Sequence, residues 1–477
     1  MKTQNIIKQV LITGLLAFSG QLHAQSLQQK LQTAFNRLQQ DSQCKYASVS
    51  LTVLDAKTGE QVFAANPDMG LAPGSTLKTV TSITAFYVLG KDFQFQTQLG
   101  YTGTLAADGT LNGDIIIKGG GDPTLGSWRY ATTKEGYVLN TMVEAIKKAG
   151  IKKVNGKIIG DDGAFTHQSI PDGWIWQDLG TYYGAGIAGL CWRENQFDIA
   201  LRTGSVGSPV GVAGTIPATN YLQYKSELTT GAAKTGDQAY PYQPGFGSKV
   251  MYLRGTYATD QTKKRISAAI PDPAYDAALR LNDTLKSIGI SVTNEPASST
   301  QLREKNLAVP ASATALTTIN SPELSKIVYW LNQKSVNLYA EQLLATISAK
   351  LGKSPATSDG VDAMQNFWEA KGIDHRSMNI YDGSGLSPQD RITTSTMAHI
   401  LQVAHQEKWF TDFYESLPVY NDMKMKSGSI SAVQAYAGFQ ANNGRQLCFS
   451  IMVNNYNGTG SGIREKMFRV LDVLKAP

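Results

Sequence analysis

Cysteine and histidine are both scarce in this chain, which has three cysteines and five histidines among 477 residues. The cysteines are Cys44, Cys191 and Cys448. An odd set of three, widely spaced, excludes a disulfide framework and permits at most one internal bridge, whose existence the sequence leaves open. There is no H-E-x-x-H motif and no close cysteine pair, so neither a metal site nor a histidine-based triad is indicated.

Long apolar runs are also missing, and the one short run lies at the N-terminus. Lys2 and Lys8 make a basic start, Val10 to Phe18 is apolar, and Leu22-His23-Ala24 offers a small-residue cleavage site. This pattern predicts a secretory signal peptide over residues 1–24, because a membrane helix needs about 20 apolar residues. We expect an exported protein, periplasmic or facing the cell wall, that is soluble after cleavage.

Charge is modest as well. The formal net charge is +6, and loss of residues 1–24 removes two lysines and no acid. A small positive excess with no nucleic-acid motif favours an ordinary solvated surface over a polyanion-binding one. The length allows one large core or two to three domains.

Strand patterns occur near both ends of the chain, and the segment between them differs in amino-acid composition. Two predicted hairpins and their flanking helices frame the chain: Ala47–Leu54 with Gln61–Ala65, and Val433–Gln440 with Gln446–Asn454. Residues 95–305 are rich in Gly, Thr and Tyr and have short strand patterns. We predict a discontinuous domain from residues 25–94 and 306–477, whose sheet uses both termini, and a β-rich insertion over 95–305 that forms two nested domains. The segment Thr317–Lys350 is predicted to return to amphipathic helices.

The most informative motif is Ser75-Thr76-Leu77-Lys78, at the start of a predicted helix. Residues three apart on a helix lie about 60° from each other, so the Ser75 hydroxyl and the Lys78 amine can face one point. Lys78 is the only charged residue between Leu71 and Gly90. Burial favours the neutral form of a lysine, and a neutral amine beside a hydroxyl is a base beside a nucleophile.

Two further motifs follow in the order that a serine–lysine acyl enzyme requires, S-x-x-K, S-D-N and K-T-G. Ser335-Val336-Asn337 starts a predicted helix, and Lys426-Ser427-Gly428 precedes Ser429 on a predicted strand. A lysine with small hydroxyls can bind a carboxylate, and a glycine lets a substrate backbone lie close. Several similar motifs fail the test of order: Ser42–Lys45, Lys57–Gly59, Lys234–Gly236 and Ser377–Asn379.

On these motifs the chain resembles the class C low-molecular-mass penicillin-binding proteins, the D-alanyl-D-alanine carboxypeptidase/endopeptidases of peptidase family S13. The long interval between Ser75 and Ser335 matches the family's inserted domains, which class A β-lactamases lack. Other segments shared in order are Gly121–Leu125, Gly160–Asp162, Gly173–Trp176 with Tyr183-Gly184, and Asp382–Ser387 with Arg391. The implied fold is α/β (α+β), a penicillin-binding/serine β-lactamase-like domain with an antiparallel sheet flanked by helices. Two departures are Val336 in place of Asp and Ser427 in place of Thr.

The resemblance also implies a role for each site residue. Ser75 would attack the penultimate D-Ala carbonyl with Lys78 as its base, and the N–H groups of Ser75 and Ser429 would form the oxyanion hole. The remaining implied roles are proton relay for Ser335, substrate-amide binding for Asn337, support of Ser335 and of the local field by Lys426, carboxylate binding for Ser427 and Ser429, close substrate approach at Gly428, and a stem-peptide contact for Asp161.

The implied ligands are peptidoglycan stem peptides and β-lactams, with no metal or organic cofactor and no nucleic acid. A serine β-lactamase is the first alternative, although no E-x-x-L-N follows Ser335 to activate a deacylating water. A non-hydrolytic peptidoglycan-binding protein is the second. The balance of carboxypeptidase and endopeptidase activity, the side chain preferred and the oligomeric state stay open.

Overall fold

The computed structural model describes residues 26–166, 168–243, 248–309 and 314–475. The predicted signal peptide, residues 1–24, lies outside the described residues. The strands are β1 (Ser48–Asp55), β2 (Gln61–Ala65), β3 (Gln96–Tyr101), β4 (Thr104–Leu105), β5 (Thr110–Asn112), β6 (Ile115–Lys118), β7 (Lys153–Val154), β8 (Ile158–Asp161), β9 (Gln196–Arg202), β10 (Gly211–Ile216), β11 (Gln223–Gly231), β12 (Asp237–Tyr242), β13 (Val250–Ala258), β14 (Arg265–Ala269), β15 (Ser291–Val292), β16 (Ala297–Ser298), β17 (Thr314–Asn320), β18 (Met378–Asn379), β19 (Arg391–Ile392), β20 (Val419–Tyr420), β21 (Met423–Ile430), β22 (Val433–Asn442) and β23 (Arg445–Asn454).

The α-helices are α1 (Leu27–Gln39), α2 (Leu77–Leu89), α3 (Glu135–Lys148), α4 (Trp176–Leu179), α5 (Pro273–Ser287), α6 (Ser299–Glu304), α7 (Leu324–Lys334), α8 (Asn337–Lys350), α9 (Thr357–Glu369), α10 (Thr394–His405), α11 (Phe410–Ser416) and α12 (Gly460–Leu471). No helix in the described ranges is both long and apolar enough to cross a bilayer. All three cysteines are buried and none is bridged to another.

The main sheet is antiparallel and has the order β2-β1-β23-β22-β21-β20. Strand β1 pairs along its whole length with β23, from Ser48 opposite Asn454 to Asp55 opposite Leu447. Helices α1 and α12 cover one face, and α2 with α7 to α11 cover the other. The predicted sheet built from both termini, flanked by helices, is therefore confirmed.

Helix α2 is the most deeply buried helix near the predicted nucleophile. Every residue from Leu77 to Phe86 is buried, because apolar side chains point to all sides of the helix. Buried hydroxyl groups of this helix find hydrogen-bond acceptors one turn earlier in the same helix: Ser82 donates to the Lys78 carbonyl at 2.6 Å, and Thr84 donates to the Val80 carbonyl at 2.8 Å. Gly90, with φ 85°, ends the helix.

The insertion between α2 and α7 contains a five-stranded sheet, β16-β8-β6-β3-β17, and a four-stranded sheet, β15-β7-β5-β4, packed with α3 and α5. Strand β17 pairs with β3, so the stretch from Thr317 to Asn320 is a strand where we predicted a helix. The β-branched residues Thr317, Thr318 and Ile319 suit a pleated edge. We propose that the insertion extends to Asn320 rather than ending at 305.

A smaller body is nested inside the insertion, between residues 196 and 269. It has two three-stranded sheets, β10-β9-β14 and β11-β13-β12, around an apolar core of its own. This arrangement agrees with two nested domains, which we propose as the domain organisation. The chain then returns to the main domain through α7.

Candidate active site

Ser75 lies in a single 3₁₀ turn, Gly74–Thr76, immediately before α2. The Lys78 amine is hydrogen-bonded to the Ser75 hydroxyl at 2.9 Å and donates to the Ser384 carbonyl at 2.7 Å. The Lys78 side chain is fully buried. Burial lowers the pKa of Lys78 to about 8, although the nearby carboxyls of Asp382, Glu341 and Asp390 act in the opposite direction.

Those acids form a buried cluster on the inner side of Lys78. Glu341 lies on α8, and both of its carboxylate oxygens accept the Gly383 N–H at 3.1 Å. Burial, and then the Asp382 charge, raise the pKa of Glu341 and of Asp390. Lys78 is therefore placed over a set of carboxyls, two of which favour their protonated forms.

The turn Asp382–Ser387 is held by one carboxylate. Asp382 accepts N–H groups from Ser384, Gly385 and Ser387 at 3.1, 2.7 and 2.8 Å. It also accepts the indole N–H of Trp174, from the insertion, at 2.8 Å. These bonds fix the carbonyl that accepts from Lys78, so the insertion helps to position the predicted base.

Ser335 and Lys426 form a second lysine–hydroxyl pair. Ser335 follows α7 in a left-handed conformation, with φ 54° and ψ 45°. The Lys426 amine, on β21, lies 3.0 Å from the Ser335 hydroxyl and 2.8 Å from the Ser427 carbonyl. Burial, and then the charge of Lys78, hold the pKa of Lys426 well below its usual range.

Asn337 begins α8, the helix that also carries Glu341. Its side-chain amide donates to the Tyr183 carbonyl of the insertion at 2.8 Å. The helix is buried on nearly every side and is not amphipathic as predicted, because the insertion covers the face that would otherwise meet solvent.

The backbone of β21 lies directly against the turn that carries Ser75. A methyl group on Gly428 would lie 2.9 Å from the Ser75 nitrogen, and one on Gly74 would lie 2.7 Å from the Ser429 nitrogen. Side chains are excluded at both contacts, which is why glycine stands there. This contact brings the amides of Ser75 and Ser429, the predicted oxyanion-hole donors, to neighbouring positions.

A cavity of about 830 Å³ lies between the main domain and the insertion. Four of the predicted site residues line it: Ser75, Ser335, Asn337 and Ser429. Four other predicted residues do not line the cavity. Three of them are buried, namely Lys78, Lys426 and Gly428, and Ser427 is half-buried. A group of three or more side chains able to hold a metal ion does not occur in the ranges described.

Asp161 is not brought to this cavity. It ends β8, and its carboxylate accepts the Gly163 N–H at 3.0 Å. The acids that line the cavity are Asp178 and Glu194, with Arg129 beside Glu194. None of these three is marked by a motif in the sequence, although Asp178 lies two residues beyond the Gly173–Trp176 segment.

Comparison with known proteins gives the family. The D-Ala-D-Ala carboxypeptidase 3 (S13) family profile matches residues 28–474. The chain belongs to this family. It is 25% identical over 459 residues to a D-alanyl-D-alanine carboxypeptidase of Actinomadura sp. (strain R39), covering 90% of this chain and 82% of that one. It is 24% identical over 408 residues to the D-alanyl-D-alanine carboxypeptidase DacB of Haemophilus influenzae, covering 80% of each.

The fold of this S13 chain is also found in solved structures. Penicillin-binding protein 4 (dacB) from Haemophilus influenzae matches with a TM-score of 0.77 at 22% identity, covering 92% of this chain and 99% of that one. The same protein complexed with a β-lactam matches with a TM-score of 0.72 at 20% identity. Family membership confirms the sequence-based interpretation of a serine-type D-Ala-D-Ala carboxypeptidase over the β-lactamase and the non-hydrolytic binding protein.

Proposed function

We propose that this S13 chain hydrolyses the terminal D-Ala-D-Ala bond of peptidoglycan stem peptides through an acyl-Ser75 intermediate. The observation that carries the proposal is the pair of buried lysines, Lys78 at 2.9 Å from Ser75 and Lys426 at 3.0 Å from Ser335, behind one cavity. Two lysine–hydroxyl pairs supply a base for the nucleophile and a separate proton path for the leaving group.

In the acylation step, the Ser75 hydroxyl gives its proton to neutral Lys78 as its oxygen attacks the penultimate D-Ala carbonyl. The amides of Ser75 and Ser429 donate to the oxyanion that forms. As the peptide bond breaks, the departing amine takes a proton from the Ser335 hydroxyl while Lys426 stabilises the Ser335 oxygen. The proton that Lys78 took from Ser75 replaces it, so both groups regain their starting forms. Water then attacks the acyl-enzyme and gives a proton to neutral Lys78, and that proton returns to the Ser75 oxygen as the acyl group leaves.

Substrate binding uses the remaining site residues. Asn337, whose amide nitrogen is already engaged by Tyr183, can accept the substrate amide N–H through its oxygen. We assign the terminal carboxylate to Ser427 and Ser429, in the field of Lys426, with Gly428 allowing close approach. Asp161 stays a prediction, since a carboxylate that serves the Gly163 amide supports a role in the fold.

β-Lactams would acylate the same serine, in keeping with the β-lactam complex of the structurally similar penicillin-binding protein 4. We also propose export to the periplasm or cell wall, where this substrate occurs, after removal of residues 1–24. Endopeptidase activity on cross-linked stem peptides is a further proposal.

The test uses a fluorescent penicillin and, separately, a D-Ala-D-Ala-terminated peptide. We expect stable labelling and D-Ala release, both lost in Ser75→Ala. Ser42→Ala is the matched control because Ser42 and Lys45 repeat the S-x-x-K spacing outside the cavity. Rapid penicillin turnover without D-Ala release would indicate a β-lactamase, and an absence of labelling would contradict both enzymes. A cross-linked peptide dimer measures the endopeptidase activity.

A further inference from the structure

A groove separate from the catalytic cavity lies where the insertion meets α7 and α11. It consists of two adjoining cavities of about 580 and 480 Å³, which share Tyr130, Glu323 and Lys326 in their linings. We call this pair of cavities the outer groove. It shares no lining residue with the catalytic cavity. The insertion contributes Tyr137 to the lining and α7 contributes Tyr329, so both parts of the chain are needed to form it.

Aromatic side chains along the outer groove are exposed to solvent. Tyr137 is 51% exposed and Tyr329 is 41% exposed. The Tyr130 hydroxyl donates to the Lys326 carbonyl at 3.1 Å, and the rings of Tyr329 and Trp330 pack edge to face with centroids 5.3 Å apart. Rings that the fold already holds in place offer a large contact area to a ligand at little cost in conformational entropy.

The charges in the lining of the outer groove are balanced by ion pairs. The pairs are Lys326 with Glu323 at 3.3 Å, Lys91 with Asp412 at 3.7 Å, and Lys424 with Glu415 at 2.9 Å. The lining also contains neutral hydrogen-bonding side chains, such as those of Thr141 and Asn320. Paired charges give little net attraction for an ion, whereas amides and hydroxyls can bind a neutral polar ligand.

The outer groove adjoins the catalytic cavity. The guanidinium of Arg129 lies 5.5 Å from the ring centroids of both Trp128 and Trp330. Trp128 lines the catalytic cavity and Trp330 lines the outer groove, so this contact joins the two. Helix α7 makes the same connection, because Trp330 lies about one turn before Lys334, which lines the catalytic cavity beside Ser335. A single extended ligand can therefore reach both.

We propose that the outer groove binds the glycan strand to which the substrate peptide is attached. The inference rests on the proposed function, because the stem peptides of peptidoglycan are linked to a neutral polysaccharide. A pyranose ring has an apolar C–H face and a rim of hydroxyl groups, so it suits aromatic rings beside neutral hydrogen-bonding side chains. An apolar protein partner would desolvate the ion pairs of the lining, and the balanced charges give a polyanion no net attraction.

The first test measures binding without turnover. The probe is a hexasaccharide of β-1,4-linked N-acetylglucosamine, which is neutral and carries no peptide, and the protein is Ser75→Ala. The same chain is then given Tyr137→Ala or Tyr329→Ala, which remove one ring from each of the two cavities. Tyr46→Ala is the matched control, because Tyr46 is 65% exposed and lines neither the outer groove nor the catalytic cavity.

We expect each groove variant to raise the Kd of the hexasaccharide about three- to tenfold, the usual worth of one aromatic contact, and Tyr46→Ala to leave it unchanged. An equal Kd in all four proteins, or no binding to Ser75→Ala, would overturn the proposal. If the groove variants change the sedimentation coefficient instead of the Kd, the groove joins copies of this chain and the proposal is wrong.

The second test measures kcat/KM for D-Ala release from a soluble N-acetylated pentapeptide and from the same peptide on uncross-linked glycan strands. In the chain with Ser75 intact, Tyr137→Ala and Tyr329→Ala should slow only the glycan-linked substrate, again by about three- to tenfold. Equal losses on both substrates, or no loss on the glycan-linked one, would overturn the proposal. A wild-type chain that releases no D-Ala from the soluble peptide would instead contradict the proposed function, and the hexasaccharide measurement would still decide the groove.

Discussion

The pH dependence of acylation follows from the buried position of Lys78. The proposed base must be neutral, so the rate of Ser75 acylation should fall tenfold per pH unit below the pKa of Lys78 and level off above it. With a pKa of about 8, about 9% of the lysine is neutral at pH 7. An exposed lysine would be neutral in about 0.04% of molecules, so burial supplies a roughly two-hundredfold gain in base.

The acid limb of this pH–rate profile, where the rate falls with decreasing pH, should shift when the acid cluster beside Lys78 is changed. Glu341→Gln keeps an oxygen for the Gly383 N–H but removes a negative charge that raises the pKa of Lys78. The pKa of Lys78 should therefore fall, and the acid limb should shift to lower pH. A neighbouring charge is worth about 1–3 units when fully ionised. The raised pKa of Glu341 means that it is only partly ionised in this range, so we expect a shift of about one unit.

The assay is the second-order rate of labelling by a fluorescent penicillin between pH 5 and 10. Asp374→Asn is the control, since it removes an exposed carboxylate outside the cavity. We expect its profile to overlay that of the wild type. A wild-type midpoint near that of an exposed lysine would refute the role of burial. If the acid limb of the Glu341→Gln profile stays at the wild-type pH or moves to higher pH, the electrostatic coupling between Glu341 and Lys78 is refuted.

Three further outcomes are expected. Ser335→Gly and Ser335→Ala should both slow acylation by about a hundredfold or more in the labelling assay. The Tm of Ser335→Ala should nevertheless be lower than that of Ser335→Gly, because a left-handed residue with a Cβ costs about 1–2 kcal/mol. Gly74→Ala, whose new methyl would press on the Ser429 nitrogen, should abolish labelling of folded protein as judged by circular dichroism. Trp174→Phe, which deletes the bond to Asp382, should lower the free energy of unfolding by about 2 kcal/mol in urea titrations.

The sequence predicted the parts of the site that depend on local patterns. The segments Ser75 to Lys78, Ser335 to Asn337 and Lys426 to Ser429 were predicted because their short motifs occur in the required order along the chain. The sheet formed from both ends was predicted because β1 and β23 have strong strand patterns.

Other features depend on contacts between distant segments and have no local pattern. Glu341 was expected on an amphipathic helix, but that helix is buried on nearly every side, and the carboxyl lies inside the main domain beside Gly383. Arg129 and Glu194 form an ion pair although they are 65 residues apart in the chain, and Glu194 lies in a left-handed turn that no local pattern predicts. Asp161 stays a prediction: its place in the shared segment suggests a ligand contact, and its carboxylate accepts a nearby backbone N–H, which fits a role in the fold equally well.

The pairing of β1 with β23 also determines when the main sheet can be completed. The strand that lies between β1 and β22 is among the last segments to be synthesised, so the main sheet cannot take its full order until the chain is almost complete. Such distant pairing folds slowly, whereas the insertion is built mainly from contacts within itself. A nascent or truncated chain that stops before Arg445 would contain every proposed catalytic side chain and still lack the strand that pairs with both β1 and β22.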